Sequence, residues 1–186
     1  GFLPGGGMLV TNRGGEMFRV VNGDLRPITG LPESSEVGQG GLMEVAPHPT
    51  NGWIYLSLAD PLNGDRRRVQ TKIVRGKLVG DRWTATETIF RAPDESYTGA
   101  GVHFGSKIVF DRKGHVFFSI GERATMIQSQ DPAKSTGKVY RVNEDGSLPK
   151  DNPFAGKGPV AGAVWTMGHR NPQGLTIDLK GNLWDT

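Results

Sequence analysis

The sequence predicts an all-β fold of the β-propeller type, in which four-stranded blades surround a central channel. Glycine accounts for 28 of the 186 residues and proline for 12, a composition that favours frequent turns and short strands. A turn ending in glycine, followed by three to five apolar or β-branched residues, occurs in residues 3–11, 48–57, 110–119 and 178–184. These copies lie roughly 45 to 67 residues apart, which fits one blade with its loops better than a helical repeat.

Further strands are expected between the copies, in residues 16–21, 69–75, 82–90 and 137–142. In residues 82–90 the side chains alternate with the period of a strand, and no stretch longer than a turn has the pattern of an amphipathic helix. We therefore predict one partial propeller domain over residues 1–186, with about three to three and a half blades. The opening within a turn motif indicates that both ends are truncated relative to a longer parent domain.

Composition narrows the range of functions. The formal net charge is +3, too small to indicate a nucleic-acid partner. The one basic cluster, Arg66 to Arg68, is expected in a solvated loop, with an anionic partner as the less favoured interpretation. No apolar run is long enough to span a membrane. The chain contains no cysteine, which excludes disulfides, thiolate metal sites and a cysteine nucleophile.

Four polar, turn-like segments are poorly explained by core packing. They comprise residues 38–42, 101–106, 121–131 and 168–175. The first, second and fourth segments precede an expected strand, and residues 121–131 follow one. Because the loops at one end of a propeller gather around the central channel, we expect these distant segments to converge on a ligand site there.

The same segments resemble those of the soluble quinoprotein glucose and aldose sugar dehydrogenases, the glucose/sorbosone dehydrogenase family. The resemblance runs in order along the whole chain, through residues 38–42 (GQGGL), 54–57 (IYLS), 103–110 (HFGSKIVF), 119–122 (SIGE), 137–143 (GKVYRVN), 145–154 (DGSLPKDNPF) and 168–175 (GHRNPQGL). It implies the N-terminal half of a six-bladed propeller that binds pyrroloquinoline quinone (PQQ) and Ca²⁺. It also implies oxidation of the C1 hydroxyl of an aldose to a lactone, an external electron acceptor, and a periplasmic or secreted location.

The resemblance assigns His103 as the catalytic base. Removing a hydroxyl proton while a hydride leaves requires a group that titrates near neutrality, and histidine has that property. Arg170 matches the cation that stabilises charge developing on the quinone, with Asn171 as a neighbouring amide donor. On the sequence alone, a turn histidine bonded to backbone is the favoured interpretation of His103, and the other two could cap a turn.

The resemblance implies three further cofactor-binding positions. Gln39 matches a glutamine that contacts cofactor and sugar, although a polar residue in a glycine-rich turn is the simpler interpretation. Glu122 fits an acidic position after the Ile-Gly turn, and either Gln128 or Gln130 fits a later glutamine. His169 is expected to be structural.

Two departures from the family pattern affect the expected activity. The Glu-His-Gly-Pro-type loop whose carbonyls hold Ca²⁺, and the basic and aromatic residues that clamp the quinone, are expected downstream of residue 186, so no metal ligand is assigned here. The chain alone is therefore expected to be inactive. The main alternative is a catalytically idle propeller that binds sugars or partners. A calcium-dependent lactone hydrolase would need a carboxylate-rich channel that the sequence does not show.

Overall fold

The computed structural model describes all 186 residues and contains thirteen strands in four antiparallel sheets. The first sheet comprises β1 (Met8–Thr11), β2 (Met17–Val21) and β3 (Asp24–Pro27). The second comprises β4 (Leu42–Pro47), β5 (Ile54–Leu62), β6 (Asp65–Val79) and β7 (Arg82–Phe90). The third comprises β8 (Ile108–Phe110), β9 (His115–Ile120), β10 (Lys138–Asn143) and β11 (Val164–Met167), and the last comprises β12 (Leu175–Ile177) and β13 (Leu183–Asp185).

Helical structure is confined to short turns. The one α-helix, α1, covers Pro159–Ala163, and two 3₁₀ turns cover Asp94–Ser96 and Met126–Gln130. No helix has the length and apolar character needed to cross a membrane. The prediction of an all-β chain is confirmed.

The sheets have the arrangement of propeller blades. Each is a meander in which sequence neighbours pair, and the first strands of successive sheets, β4, β8 and β12, lie side by side. Residues 1–3 run antiparallel to β1 through the Phe2–Met8 bridge and the hydrogen bond from Leu9 N to Gly1 O. They supply the start of a first strand for the first blade. The chain thus holds about three and a half blades in an open ring, in agreement with the predicted extent.

The repeated turns hold the first two strands of a blade together. In the third blade, the Asp111 carboxylate accepts hydrogen bonds from the backbone N–H groups of Lys113 and His115. Asp178 does the same in the fourth blade for the N–H groups of Lys180 and Asn182. Such Asx turns fix the reversal before the next strand begins. The turn signal in the sequence therefore has the same structural cause in both copies.

The hydrophobic cores lie between neighbouring blades. One cluster of 15 buried residues joins the second and third sheets, and within it the Phe118 and Tyr140 rings stack at 5.0 Å. A second cluster of 10 residues joins the first and second sheets, with Met17, Leu56 and Trp83 among its members. Each blade therefore buries its faces only against its neighbours, as expected for a repeat architecture.

The observed strands match several predicted ones and correct others. The strand predicted at residues 82–90 has those bounds, whereas the one predicted at 69–75 extends over Asp65–Val79. Arg66 to Arg68 therefore lie in the exposed start of β6 and not in a loop, because β5 and β6 continue past the sheet as a long hairpin. Arg66 forms an exposed ion pair with Glu33.

Candidate active site

The four polar segments open on one face of the molecule. In a four-stranded meander, the loop before the first strand and the loop after the second strand lie at the same end. Residues 38–41, 101–107 and 168–174 precede β4, β8 and β12, and residues 121–137 follow β9. The convergence that the sequence predicts is therefore a consequence of the strand order.

His103 lies in the second of these segments, which is bonded to the first. The Gln39 side-chain oxygen accepts a 2.9 Å hydrogen bond from the His103 backbone N–H, and Gln39 N donates to Gly101 O at 2.7 Å. The backbone of His103 has a φ of 55°, a left-handed conformation that non-glycine residues seldom adopt outside functional or turn positions. Its side chain is 14% exposed, so the imidazole is held largely within the protein.

Glu122 is the hydrogen-bond partner of the His103 ring. The imidazole Nδ1 donates to Glu122 Oε1, and the Glu122 side chain is only 5% exposed. With Nδ1–H directed at the carboxylate, His103 Nε2 has no protein partner and is the nitrogen available to accept a proton. The other carboxylate oxygen, Oε2, is buried without a hydrogen bond.

The Arg170 turn lies against the Glu122 turn. Arg170 O accepts a 2.8 Å hydrogen bond from Glu122 N, and Asn171 Oδ1 accepts a 3.0 Å hydrogen bond from Gly105 N. Backbone contacts thus hold the turn, while the Arg170 side chain is exposed and forms no hydrogen bond or ion pair. The preceding residue, His169, is by contrast paired with Asp185 at 2.7 Å. A free guanidinium is therefore presented on this face.

Two open cavities border the site, and neither is lined by His103 or Glu122. One, of about 350 Å³, includes Gln39 and the channel wall, and the other, of about 520 Å³, includes Arg170 and Asn171. Gln173 lines both of them, so they are neighbours at this residue. Glu44, which also lines the first cavity, forms a 2.9 Å ion pair with Lys107, which leaves no net charge at that point.

The loop of residues 121–137 places the two candidate glutamines differently. Gln128 Oε1 is 3.4 Å from Thr136 Oγ1, within the loop itself. Gln130 packs against Gly168, where an added Cβ would be 3.1 Å from its Nε2. The buried Lys138 ammonium closes this loop by donating to the carbonyls of Gln128, Ser129 and Thr136, and burial lowers the pKa of Lys138 to about 8. Gln130, and not Gln128, thus lies beside the turn that carries Arg170.

Sequence reasoning missed three features of the site. Glu122 contacts the His103 ring, whereas the family pattern suggested only a cofactor contact. Gln173 lines both cavities. Arg123 is buried against Phe104, the residue that follows His103. No periodic or spacing signal could have revealed these contacts, because each depends on how two loops pack.

The geometry can support proton abstraction next to a site for a negatively charged group. A carboxylate that accepts a hydrogen bond from Nδ1–H fixes the imidazole tautomer. It also stabilises the imidazolium once Nε2 has taken a proton. An unpaired guanidinium offers a planar set of donors to an anion or a developing negative charge. No group of three or more histidine, aspartate or glutamate side chains lies close enough to hold a metal ion.

Residues 1–186 match the family model described as glucose/sorbosone dehydrogenase. The chain belongs to this family. Among curated relatives, it is 36% identical to the aldose sugar dehydrogenase YliI of Escherichia coli (strain K12) over 98% of its own length and 51% of the relative. The members of the glucose/sorbosone dehydrogenase family that it matches are longer, and the chain spans about half the length of the curated relatives.

Solved structures of the glucose/sorbosone dehydrogenase type share the fold. A glucose dehydrogenase superimposes with a TM-score of 0.91 at 36% identity, covering 100% of this chain and 59% of that one. The PQQ-bound aldose sugar dehydrogenase of Streptomyces coelicolor superimposes with a TM-score of 0.81 at 30% identity, covering 98% of this chain and 53% of that one. These likenesses confirm the predicted β-propeller and the predicted family.

Proposed function

We propose that the chain forms the N-terminal half of a PQQ-dependent dehydrogenase that oxidises the C1 hydroxyl of aldose sugars to lactones. The observation that carries this proposal is the His103–Glu122 pair, whose loops meet, at Gly121, the turn that carries the exposed, unpaired Arg170. The relative of known structure that binds PQQ shares the fold over 98% of the chain. A hydride-transfer enzyme needs both a proton acceptor and a fixed positive charge.

The residues present fit part of a PQQ site. The quinone is planar and anionic, and the open cavity of about 520 Å³ is lined by the Arg170 guanidinium and the Asn171 amide. Gln39 lines the adjoining cavity. We assign these three residues to the cofactor, with Glu122 acting through His103. The Ca²⁺ ligands and the clamp for the cofactor carboxylates are proposed to lie in a C-terminal half, as the family resemblance implies.

His103 performs the proton transfer in the proposed reaction. Its Nε2 accepts the proton of the C1 hydroxyl, and the Glu122 carboxylate holds the Nδ1 proton and stabilises the imidazolium that results. The bound quinone supplies an electrophilic carbonyl that accepts the hydride from C1. Arg170 places positive charge beside the cofactor site, where it stabilises the charge that develops during the transfer.

The location and the electron acceptor belong to the same proposal. We assign the whole protein to the periplasm or the exterior, on the family resemblance alone, and expect an external acceptor to reoxidise the cofactor. The 186-residue chain by itself is proposed to lack turnover, because it supplies only part of the cofactor site.

Reconstitution tests the proposed function. The full-length gene product is loaded with PQQ and Ca²⁺, and reduction of a redox dye is followed with a panel of aldoses, beside the 186-residue chain treated identically. We expect quinone-dependent dye reduction by the full-length product and none by the 186-residue chain. Aldose binding without dye reduction, measured by calorimetry after loading, would contradict the dehydrogenase and favour an idle, sugar-binding propeller.

Replacing Glu122 by glutamine tests the role of the carboxylate. Glu122→Gln keeps the shape but removes the charge that stabilises the imidazolium, so kcat is expected to fall by about 10² or more. Steady-state kinetics of the loaded full-length product measure this change. Glu144→Gln is the matched control, because Glu144 pairs with His48 in a similar way at 3.0 Å but away from the site. Equal kcat values for Glu122→Gln and wild type would exclude the proposed role.

A further inference from the structure

Arg123 is buried directly beneath the loop that carries His103. Its exposed fraction is 0%. The guanidinium carbon lies 3.4 Å from the centre of the Phe104 ring, and Nη2 donates a hydrogen bond to Ala100 O. One side chain therefore contacts residues on both sides of His103.

The Phe104 ring is also fixed at its edge. Its edge lies so close to Gly40 that an added Cβ there would be 2.3 Å from Phe104 Cζ. Phe104 O accepts a 2.9 Å hydrogen bond from Thr71 Oγ1. Gly40 follows Gln39, whose side chain binds the His103 backbone. Arg123 thus packs on the face of the Phe104 ring and Gly40 at its edge, and together they support the His103 loop.

Burying the Arg123 guanidinium carries a desolvation cost that an apolar side chain would avoid. Arg123 Nε and Nη1 have no hydrogen-bond partner, and the residue adopts a φ of 53°. Burial lowers the pKa of Arg123 to about 10, an effect that the nearby Glu122 carboxylate opposes, so the side chain stays charged at neutral pH. An apolar side chain would pack there without the cost of desolvating a charge. The charge therefore has a use beyond packing.

We infer that Arg123 is a positioning residue for the proposed base. Its Nη2 hydrogen bond and its flat face hold Ala100 and Phe104, so that His103 Nδ1 stays aligned with Glu122, and its charge balances the Glu122 carboxylate. The inference deepens the proposed function and rests on it for its catalytic consequence, although the coupling of Arg123 to His103 can be measured without any cofactor.

Most other charged groups in the loops around His103 are paired or exposed. They are the exposed Arg170, the Arg13–Glu36 pair at 2.7 Å, the Lys107–Glu44 pair at 2.9 Å and the His169–Asp185 pair at 2.7 Å. The exception is the buried Lys138 ammonium, which donates to three backbone carbonyls. Arg13 also donates to Gly38 O at 2.8 Å. Substituting Arg123 leaves all of these in place, so a change at His103 can be traced to the Arg123–Glu122 charge balance.

Two substitutions separate the charge of Arg123 from its shape. Both Arg123→Met and Arg123→Lys remove the planar guanidinium and its contacts with Ala100 and Phe104. In both variants the His103 Nδ1 proton is expected to exchange with water at least about tenfold faster than in the wild type. Only Arg123→Met also removes the cation, so any exchange faster in Arg123→Met than in Arg123→Lys measures the contribution of the charge. The measurement is nuclear magnetic resonance of the full-length gene product labelled with ¹⁵N-histidine, without PQQ.

The control is another buried arginine in the same blade. Arg141 is 6% exposed, lies 4.5 Å from the Trp165 ring centre and binds Asn152 at 2.7 Å. Arg141→Met is expected to lower the melting temperature without changing the exchange of the His103 Nδ1 proton. A folded Arg123→Met protein with wild-type exchange would overturn the inference. If that variant does not fold, unchanged exchange in Arg123→Lys would overturn it.

Kinetics separate this inference from the proposed function. In the loaded enzyme, Arg123→Lys is expected to lower kcat about tenfold with little change in KM, because the base is misaligned and the sugar contacts remain. If His103 proves not to be the base, kcat will not follow the exchange rates. The resonance result would still stand, and only the proposed function would fail.

Discussion

Replacing His103 by asparagine is expected to lower kcat for aldose oxidation by about 10²–10⁴-fold, the usual contribution of a positioned general base. Asparagine is chosen because His103 has a φ of 55°, and asparagine tolerates this conformation better than alanine or glutamine. The loop should therefore keep its shape while the proton acceptor is lost. Steady-state dye reduction by the PQQ-loaded full-length product provides the measurement.

The binding of PQQ should survive this substitution. Arg170 and Asn171 lie on a different loop, and their turn is held by the backbone contact to Glu122 and the bond from Gly105 N. PQQ titration followed by its absorbance is expected to give a dissociation constant within about threefold of the wild-type value. His115→Asn is the matched control, since that imidazole bonds to Asp111 in a remote turn. Turnover by His103→Asn at the wild-type rate would disprove the assignment of the base.

Much of the fold could be predicted because it depends on local patterns. Residues 82–90 alternate regularly and form a strand with those bounds, and the glycine turns mark where β5, β9 and β13 begin. β8 and β12 have only three residues each, too few to show a period of two. Their positions follow from the blade pattern and not from their own residues.

The site was predictable as a set of loops but not as a set of contacts. Strand order brings Gln39, His103 and Arg170 to one face, which the repeated turns already implied. The choice between Gln128 and Gln130 depends on how residues 121–137 fold back on Lys138, and the burial of Arg123 depends on a left-handed backbone conformation at that residue. Such tertiary contacts leave no periodic trace in the sequence.

Gly121 should tolerate no side chain, because it lies at the crossing of the two loops that form the site. A Cβ there would be 2.1 Å from His103 O and 3.1 Å from Arg170 O. Both neighbours are backbone atoms, so the loops themselves would have to move apart. Gly121→Ala is therefore expected to cost about 3 kcal/mol of unfolding free energy, the upper part of the range for overpacking.

The matched variant is Gly5→Ala, where an added Cβ meets nothing within 4 Å. Neither glycine has a positive φ, so the comparison isolates crowding from backbone strain. Both effects are measured on the full-length product, and the matched relatives are about twice as long as this chain. Gly121→Ala should therefore melt about 4 °C lower than Gly5→Ala, and a displacement of the His103 loop by about 1 Å should reduce kcat about 100-fold. Calorimetry and dye reduction measure the two effects. Equal melting temperatures and rates in the two variants would mean that the loops do not approach each other at Gly121, and the site would lose the contact that aligns His103 with Arg170.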